Sequence, residues 1–418
     1  MRNYVCKLIS GSINDYDLSS LDVSGLVSCW DEVYGELQAQ TVHNLPTEYM
    51  LRLPLSSEQR NAVFQYTAIG IKNFHNVMRT QSEVISLLSE AGIPVAVLKG
   101  GAAAMYYPHP QFRQMGDIDI IVPRDDFDRA FDLMVSNGYY HDASVDAMYR
   151  RHASLWSGTG VEVELHRYFS VSDSGEFDKR MDEFIFEGLA NCSSVDVGGY
   201  SVSVLPSMVN GLVLLAHINH HLHSGLGLRQ IVDWMCFVKS CLDDNAWSGQ
   251  FCSMAEQVGL KRLAIVTTRM CKIYLRLDGV TWCDAEFVDS VDGGVDRGAG
   301  GQTEIDETAG LLLDYIFAKG NFGRKDDSNL GNGTVAVSTM HNLRNPVAFW
   351  RYLNQAGQFH WRATQKYPFL KPFAWIYQIG HIIRVSIKRR AGVRQLSAEM
   401  KRSRREVELM KRLGVTRM

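Results

Sequence analysis

The chain has 418 residues, 46% of them hydrophobic and 21% charged, with a formal net charge of -3. That length is too great for one simple core and predicts two or three domains, while the composition is that of an ordinary soluble globular protein. A charge this near zero excludes nucleic-acid binding by the surface as a whole.

Eight cysteines, at positions 6, 29, 192, 236, 241, 252, 271 and 283, show no Cys-x-x-Cys spacing. They read as reduced, mostly buried thiols and not as a disulfide or zinc framework. The opening MRNYVCKLISGSINDYD turns polar too soon for a signal peptide. No apolar run approaches the roughly 18 residues of a spanning helix, so a cytoplasmic location is expected.

Residues 1 to about 55 give short mixed segments broken at Pro46 and Pro54, an irregular helical lead-in. From Ser57 to Ala91, Val63, Phe64, Ile71, Phe74, Met78, Ile85 and Leu88 recur at helical spacing, with Gly70 as a weak point in the pattern. Gly92 ends it, and Pro94 opens a short apolar strand, Val95 to Leu98, which breaks at Lys99-Gly100-Gly101. A small-residue helical turn, Ala102 to Tyr107, stops at Pro108 and Pro110, and the chain returns through Arg113 into a second strand, Asp117 to Val122. Pro123 ends that strand, and Asp125 or Asp126 can cap a helix through Asn137. The runs His152 to Ser157 and Val161 to Phe169, joined by Gly158-Thr159-Gly160, predict a hairpin, and Tyr200 to Leu205 a further strand. The character then changes to helices at Ser207 to His223, Arg229 to Leu242, Gln257 to Leu277 and Glu304 to Ala318. Glycine-rich loops are expected at Gly279 to Gly301 and Lys325 to Gly333.

The chemistry concentrates between Val95 and Val122. Asp117 and Asp119 lie two apart on a strand, so both carboxylates leave one face while Ile118, Ile120 and Val122 point the other way. Two carboxylates so close repel unless a cation or a proton sits between them. A glycine pair at a strand-to-helix turn offers backbone N–H groups with no Cβ in the way, a geometry that cradles phosphate. Together these suggest a metal–triphosphate site. On the later strand Glu162, Glu164 and His166 share one face, so each glutamate is a candidate third carboxylate.

The pattern Lys99-Gly100, Tyr107-Pro108, Arg113, then Asp117-x-Asp119 resembles the bacterial "uncharacterised nucleotidyltransferase" family, within the superfamily that shares the catalytic core of DNA polymerase beta. The likeness runs from roughly Ser56 to Trp375. It implies an α+β fold: a polymerase-beta-like core of mixed sheet and helices, with a helical N-terminal segment and a helical C-terminal domain. It also implies Mg2+-dependent transfer of a nucleoside monophosphate from an NTP to a hydroxyl acceptor, with two ions held by Asp117, Asp119 and Glu164. That family carries an acidic residue two before a histidine, which selects Glu164 over Glu162 as metal ligand and base. Lys99, Gly100, Gly101 and Arg113 would then bind phosphate. The competing class is a catalytically silent scaffold of the same fold at a membrane or polysaccharide-assembly complex.

Two further constellations stand apart. His217, His220 and His221 share one helix face, with His223 beyond. They suit packing against a neighbouring helix, an acceptor pocket, or a metal site that could support a hydrolase or phosphotransferase. Arg229 and Asp233, one turn apart, are expected to pair at the interface with the core. The aromatic run Trp350 to Tyr377 leads into a basic tail from Arg384 to Met418. It reads first as a packing segment with a solvated end, then as a peripheral membrane contact, with no strong nucleic-acid signal. The expected divisions are a helical segment 1–92, a nucleotidyltransferase core 93–205, a helical domain 206–335 and an aromatic, basic segment 336–418.

Overall fold

The computed structural model describes residues 1–141, 151–170, 175–222, 225–284, 300–321, 367–380 and 405–415, with isolated positions between 350 and 364. The strands are β1 (Ala96–Val97), β2 (Ile118–Ile121), β3 (Tyr140–His141), β4 (His152–Trp156), β5 (Glu162–His166), β6 (Ser193–Val197) and β7 (Tyr200–Val204). Among the described residues they form one seven-stranded sheet in the order β3-β4-β5-β2-β1-β7-β6. The β2–β5 and β1–β7 pairs are parallel and the others antiparallel. The fold is thus α+β with a mixed sheet, as expected. The predicted hairpin is the β4–β5 pair, whose turn places Gly160 at φ +79°.

The chain opens with four short helices, α1 (Arg2–Ile13), α2 (Val23–Ser28), α3 (Trp30–Ala39) and α4 (Thr47–Met50). Helix α5 (Ser57–Glu90) follows as one unbroken span, opened by a capping box in which Ser56 and Gln59 exchange hydrogen bonds. Gly70 does not interrupt it; a Cβ there would lie 1.9 Å from the Asn44 side-chain nitrogen, so the glycine serves a close approach. Among the strands come the short α6 (Gly101–Ala104), then α7 (Phe127–Ser136) and α8 (Glu176–Leu189). The later helices are α9 (Ser207–His221), α10 (Leu228–Cys241), α11 (Asp244–Ala246), α12 (Cys252–Gln257), α13 (Lys261–Leu275) and α14 (Gly300–Lys319). The helix expected over 257–277 is α13, which starts later, at Lys261, after a turn in which Gly259 takes φ +69° and which separates it from the end of α12 at Gln257.

Apolar burial organises the chain around two clusters. One joins β1, β2, β4, β5 and β7 with the inner face of α5 (Phe74, Val77, Met78, Ile85, Leu88) and with Phe127 and Met134 of α7. The other unites Val5, Leu8 and Ile9 of α1 and Val33 and Leu37 of α3 with α9, α10, α13 and α14. Residues 405–415 enter this second cluster through Leu409, Met410 and Leu413, and Lys319 of α14 is ion-paired to Glu406 at 2.9 Å. His223, the Lys325–Gly333 loop, most of the Gly279–Gly301 loop and the basic stretch 381–404 lie outside the described residues. Among the described residues, no helix is long and apolar enough to cross a membrane.

Candidate active site

The sheet register assembles the site. Asp119 of β2 is the direct parallel partner of Glu164 of β5, and Ile121 that of His166. Neighbouring residues in register leave a sheet on the same side, so the Asp119 and Glu164 carboxylates stand side by side. Along β5, Val163 and Leu165 are buried on one face, while Glu162, Glu164 and His166 stand half-buried on the other. Asp117 sits one residue before β2, on the same approach.

Lys99, at the end of the first strand segment, reaches both aspartates: its Nζ lies 3.0 Å from Asp119 Oδ2 and 3.5 Å from Asp117 Oδ2. His166 Nε2 lies 3.2 Å from Asp119 Oδ1 and 3.4 Å from Glu164 Oε2. Asp119 therefore divides its two oxygens between an ammonium and an imidazole. Burial works to raise its carboxyl, but Lys99 and then His166 outweigh burial and hold it below the usual carboxylate range. Asp117 moves the other way, raised by burial and by the charge of Asp119. Burial opposes the charged form of His166, yet its hydrogen bonds to Asp119 and Glu164 raise the ring to about 9. Lys99 is likewise raised, Asp119 and Asp117 prevailing over burial.

Gly100 makes the turn with φ +59°, a conformation side-chain-bearing residues rarely adopt. At Gly101 the missing Cβ makes room for Gln81 of α5, whose amide would otherwise lie 2.6 Å away. The expected Gly-Gly pair thus divides its duties, one residue for the turn and one for packing beneath it.

Arg113 is not brought to the carboxylates. It is buried, and its Nε and Nη2 each donate at 2.8 Å to the two oxygens of Asp233 on α10. Tyr107 adds a third hydrogen bond to Asp233 Oδ1 at 2.7 Å. Arg229 donates to the carbonyl oxygen of Gln114 at 3.3 Å, so α10 grips both ends of the 107–114 segment. A phosphate role for Arg113 would require breaking this buried pair.

The histidine helix borders the site. His217 and His221 meet through their Nε2 atoms at 2.8 Å. Burial first, and then the charge of Lys99, lowers His217 and His220; His221 falls to about 3 through burial, His220 and Lys99. All three rings thus lie near enough to Lys99 to feel its charge. Among the described residues the trio able to share a cation is Asp119, Glu164 and His166, each offering a donor atom within 4.8 Å of the others. His166 is the site residue that sequence reasoning left without a role, although its place on the face of Glu164 was readable.

A model of the "Uncharacterised nucleotidyltransferase" family matches residues 30–276. The chain belongs to this uncharacterised nucleotidyltransferase family. One solved structure similar to it is an antigenic nucleotidyltransferase-like protein from Paracoccidioides brasiliensis, 13% identical, covering 49% of this chain and 94% of that one at a TM-score of 0.32. No curated protein matches the chain.

Proposed function

We propose that this family member transfers a nucleoside monophosphate from an NTP to a hydroxyl acceptor with the help of divalent cations, two in the full reading. The acceptor oxygen bonds to the α-phosphorus, the bond from that phosphorus to the bridging oxygen breaks, and pyrophosphate leaves. The observation that carries the reading is the register of Asp119 against Glu164, with Asp117 beside them and Lys99 across. The residues fit a cation: Asp119 is buried, and Asp119, Glu164 and His166 offer donor atoms within 4.8 Å of one another. A bound divalent ion supplies charge neutralisation for the attacking and leaving oxygens.

In this reading Asp117, Asp119 and Glu164 hold the cations, and Glu164 takes the acceptor's proton. Lys99 and the Gly100-Gly101 turn contact the triphosphate, the lysine as a point charge. Arg113 acts as a positioning residue, because its pair with Asp233 fixes the segment that leads into β2. The neutral histidines of α9 offer hydrogen-bonding groups to the acceptor side without adding charge.

Two measurements test the proposal. Calorimetry with a non-hydrolysable NTP and divalent cation should give binding to the wild-type protein and a loss of ten-fold or more in an Asp117→Asn, Asp119→Asn variant. Incubation with each α-32P-NTP and a panel of hydroxyl compounds should transfer label in the wild type alone. Equal NTP binding by both proteins would sink the reading. Binding without transfer to any acceptor favours the silent alternative.

A further inference from the structure

We propose that one cation of this site is held by two carboxylates and an imidazole, Asp119, Glu164 and His166, so that it takes manganese or a heavier first-row divalent ion in preference to magnesium. The inference rests on the nucleotidyl-transfer reading only in placing that ion in the same site. Its basis is geometric. His166 Nε2 lies 3.2 Å from Asp119 Oδ1 and 3.4 Å from Glu164 Oε2. Ligands bonded to one ion at about 2.1 Å lie ~3.0 Å apart at a right angle and ~3.4 Å apart at a tetrahedral angle. Both separations fall within that interval, and the Asp119 and Glu164 donors lie within 4.8 Å of each other, so one ion can engage all three with small rotations, replacing the proton that His166 Nε2 shares with the carboxylates and releasing it to solvent.

The other contacts leave this triangle accessible. Lys99 approaches Asp119 through Oδ2, whereas the triangle uses Oδ1, so the ion and the ammonium occupy opposite oxygens of one carboxylate. Asp119 is 3% exposed, and its backbone is fixed against Glu164 by the β2–β5 register. The His166 ring is seated by His152, its antiparallel partner on β4, with ring centroids 5.2 Å apart. A ligand ring held by its neighbours binds metal with less loss of freedom.

The donor set then selects the ion. Magnesium favours oxygen ligands and retains its waters, whereas imidazole suits later first-row ions, whose affinities for mixed sites rise along the series from manganese. Replacing one expected carboxylate by an imidazole also lowers the site's negative charge, which weakens its hold on a hard ion most.

The test uses Mn2+ alone with the full-length protein. Electron spin-echo modulation should show a directly bound nitrogen in the wild type, altered by 15N-histidine labelling and abolished in His166→Gln. That variant should bind Mn2+ ten-fold or more weakly, and its preference for Mn2+ over Mg2+ should narrow. Glu162→Gln should keep the nitrogen signal. Because labelling needs no substitution, the readout survives even if His166→Gln folds poorly. Mn2+ bound through oxygen alone would overturn the inference while leaving nucleotidyl transfer standing; no bound Mn2+, with or without NTP, would overturn both.

Discussion

Removing the Asp233 carboxylate should destabilise the protein far more than the loss of any surface ion pair. Arg113 is 4% exposed and Asp233 2%, with two guanidinium donors at 2.8 Å and the Tyr107 hydroxyl at 2.7 Å converging on one carboxylate. An exposed pair such as Arg180–Glu183 contributes about 0–1 kcal/mol. Stripping one member from a buried pair costs about 3–5 kcal/mol, because the remaining charge is left without either water or partner. Asp233→Ala should fall in that range in urea unfolding followed by circular dichroism. Arg113→Met combined with Asp233→Leu should recover most of the loss, short of a residual ~1–3 kcal/mol for the orphaned Tyr107 hydroxyl. The reasoning fails if Asp233→Ala stays within about 1 kcal/mol of wild type, or if the double variant is as unstable as the two singles summed.

Gly211 lies inside α9, where alanine normally gains about 1 kcal/mol, yet a Cβ there would meet the Phe237 ring at 2.2 Å and Phe251 at 2.9 Å. Gly211→Ala should therefore cost about 1–3 kcal/mol by urea titration, and a stabilised variant would contradict the packing. His221, held at about 3 by burial with His220 and Lys99, titrates near 6.5 when unfolded, so the folded chain binds fewer protons between those values. Its contribution is complete above about pH 6.5 and is lost as pH falls toward about 3. His221→Gln should flatten this part of the stability profile, and an unchanged slope would show that other groups govern it. Between the two candidate glutamates, the register favours Glu164: calorimetry should find cation binding weakened ten-fold or more in Glu164→Gln and little changed in Glu162→Gln, and the reverse ranking would move the site two residues back along β5.

Much of this was legible because it is local. The alternation of Asp117 to Val122 and of Val161 to His166 gave the carboxylate faces, and the glycine turn at 158–160 gave the hairpin between β4 and β5. That Glu164 is the neighbour of Asp119 depends on a parallel pairing of separate segments, which alternation alone does not fix. Arg113 was misleading for the same reason: four residues before Asp117 it looks aimed at the aspartates, but its partner lies 120 positions on in α10. Ser193–Val197 reads as polar because it is an edge strand with largely exposed side chains, and Val195 and Val197 were too short an apolar alternation to mark β6. The sharing of one core by α1, α3 and the late helices has no signature in periodicity, which reports that a face is apolar and not what covers it.

That shared core bears on how the chain is made. Lys239 donates to the carbonyl oxygen of Ile13 at 2.6 Å, Asn14 to that of Leu275 at 2.8 Å, and Arg2 pairs with Asp314. The greasy side of the first helix, with Val5, Leu8 and Ile9, soon meets α3 but emerges from the ribosome more than two hundred residues ahead of α13, which completes its cover. At ~5–20 residues per second, that interval lasts on the order of ten seconds or more, long enough for a holding chaperone to shape the yield of native protein.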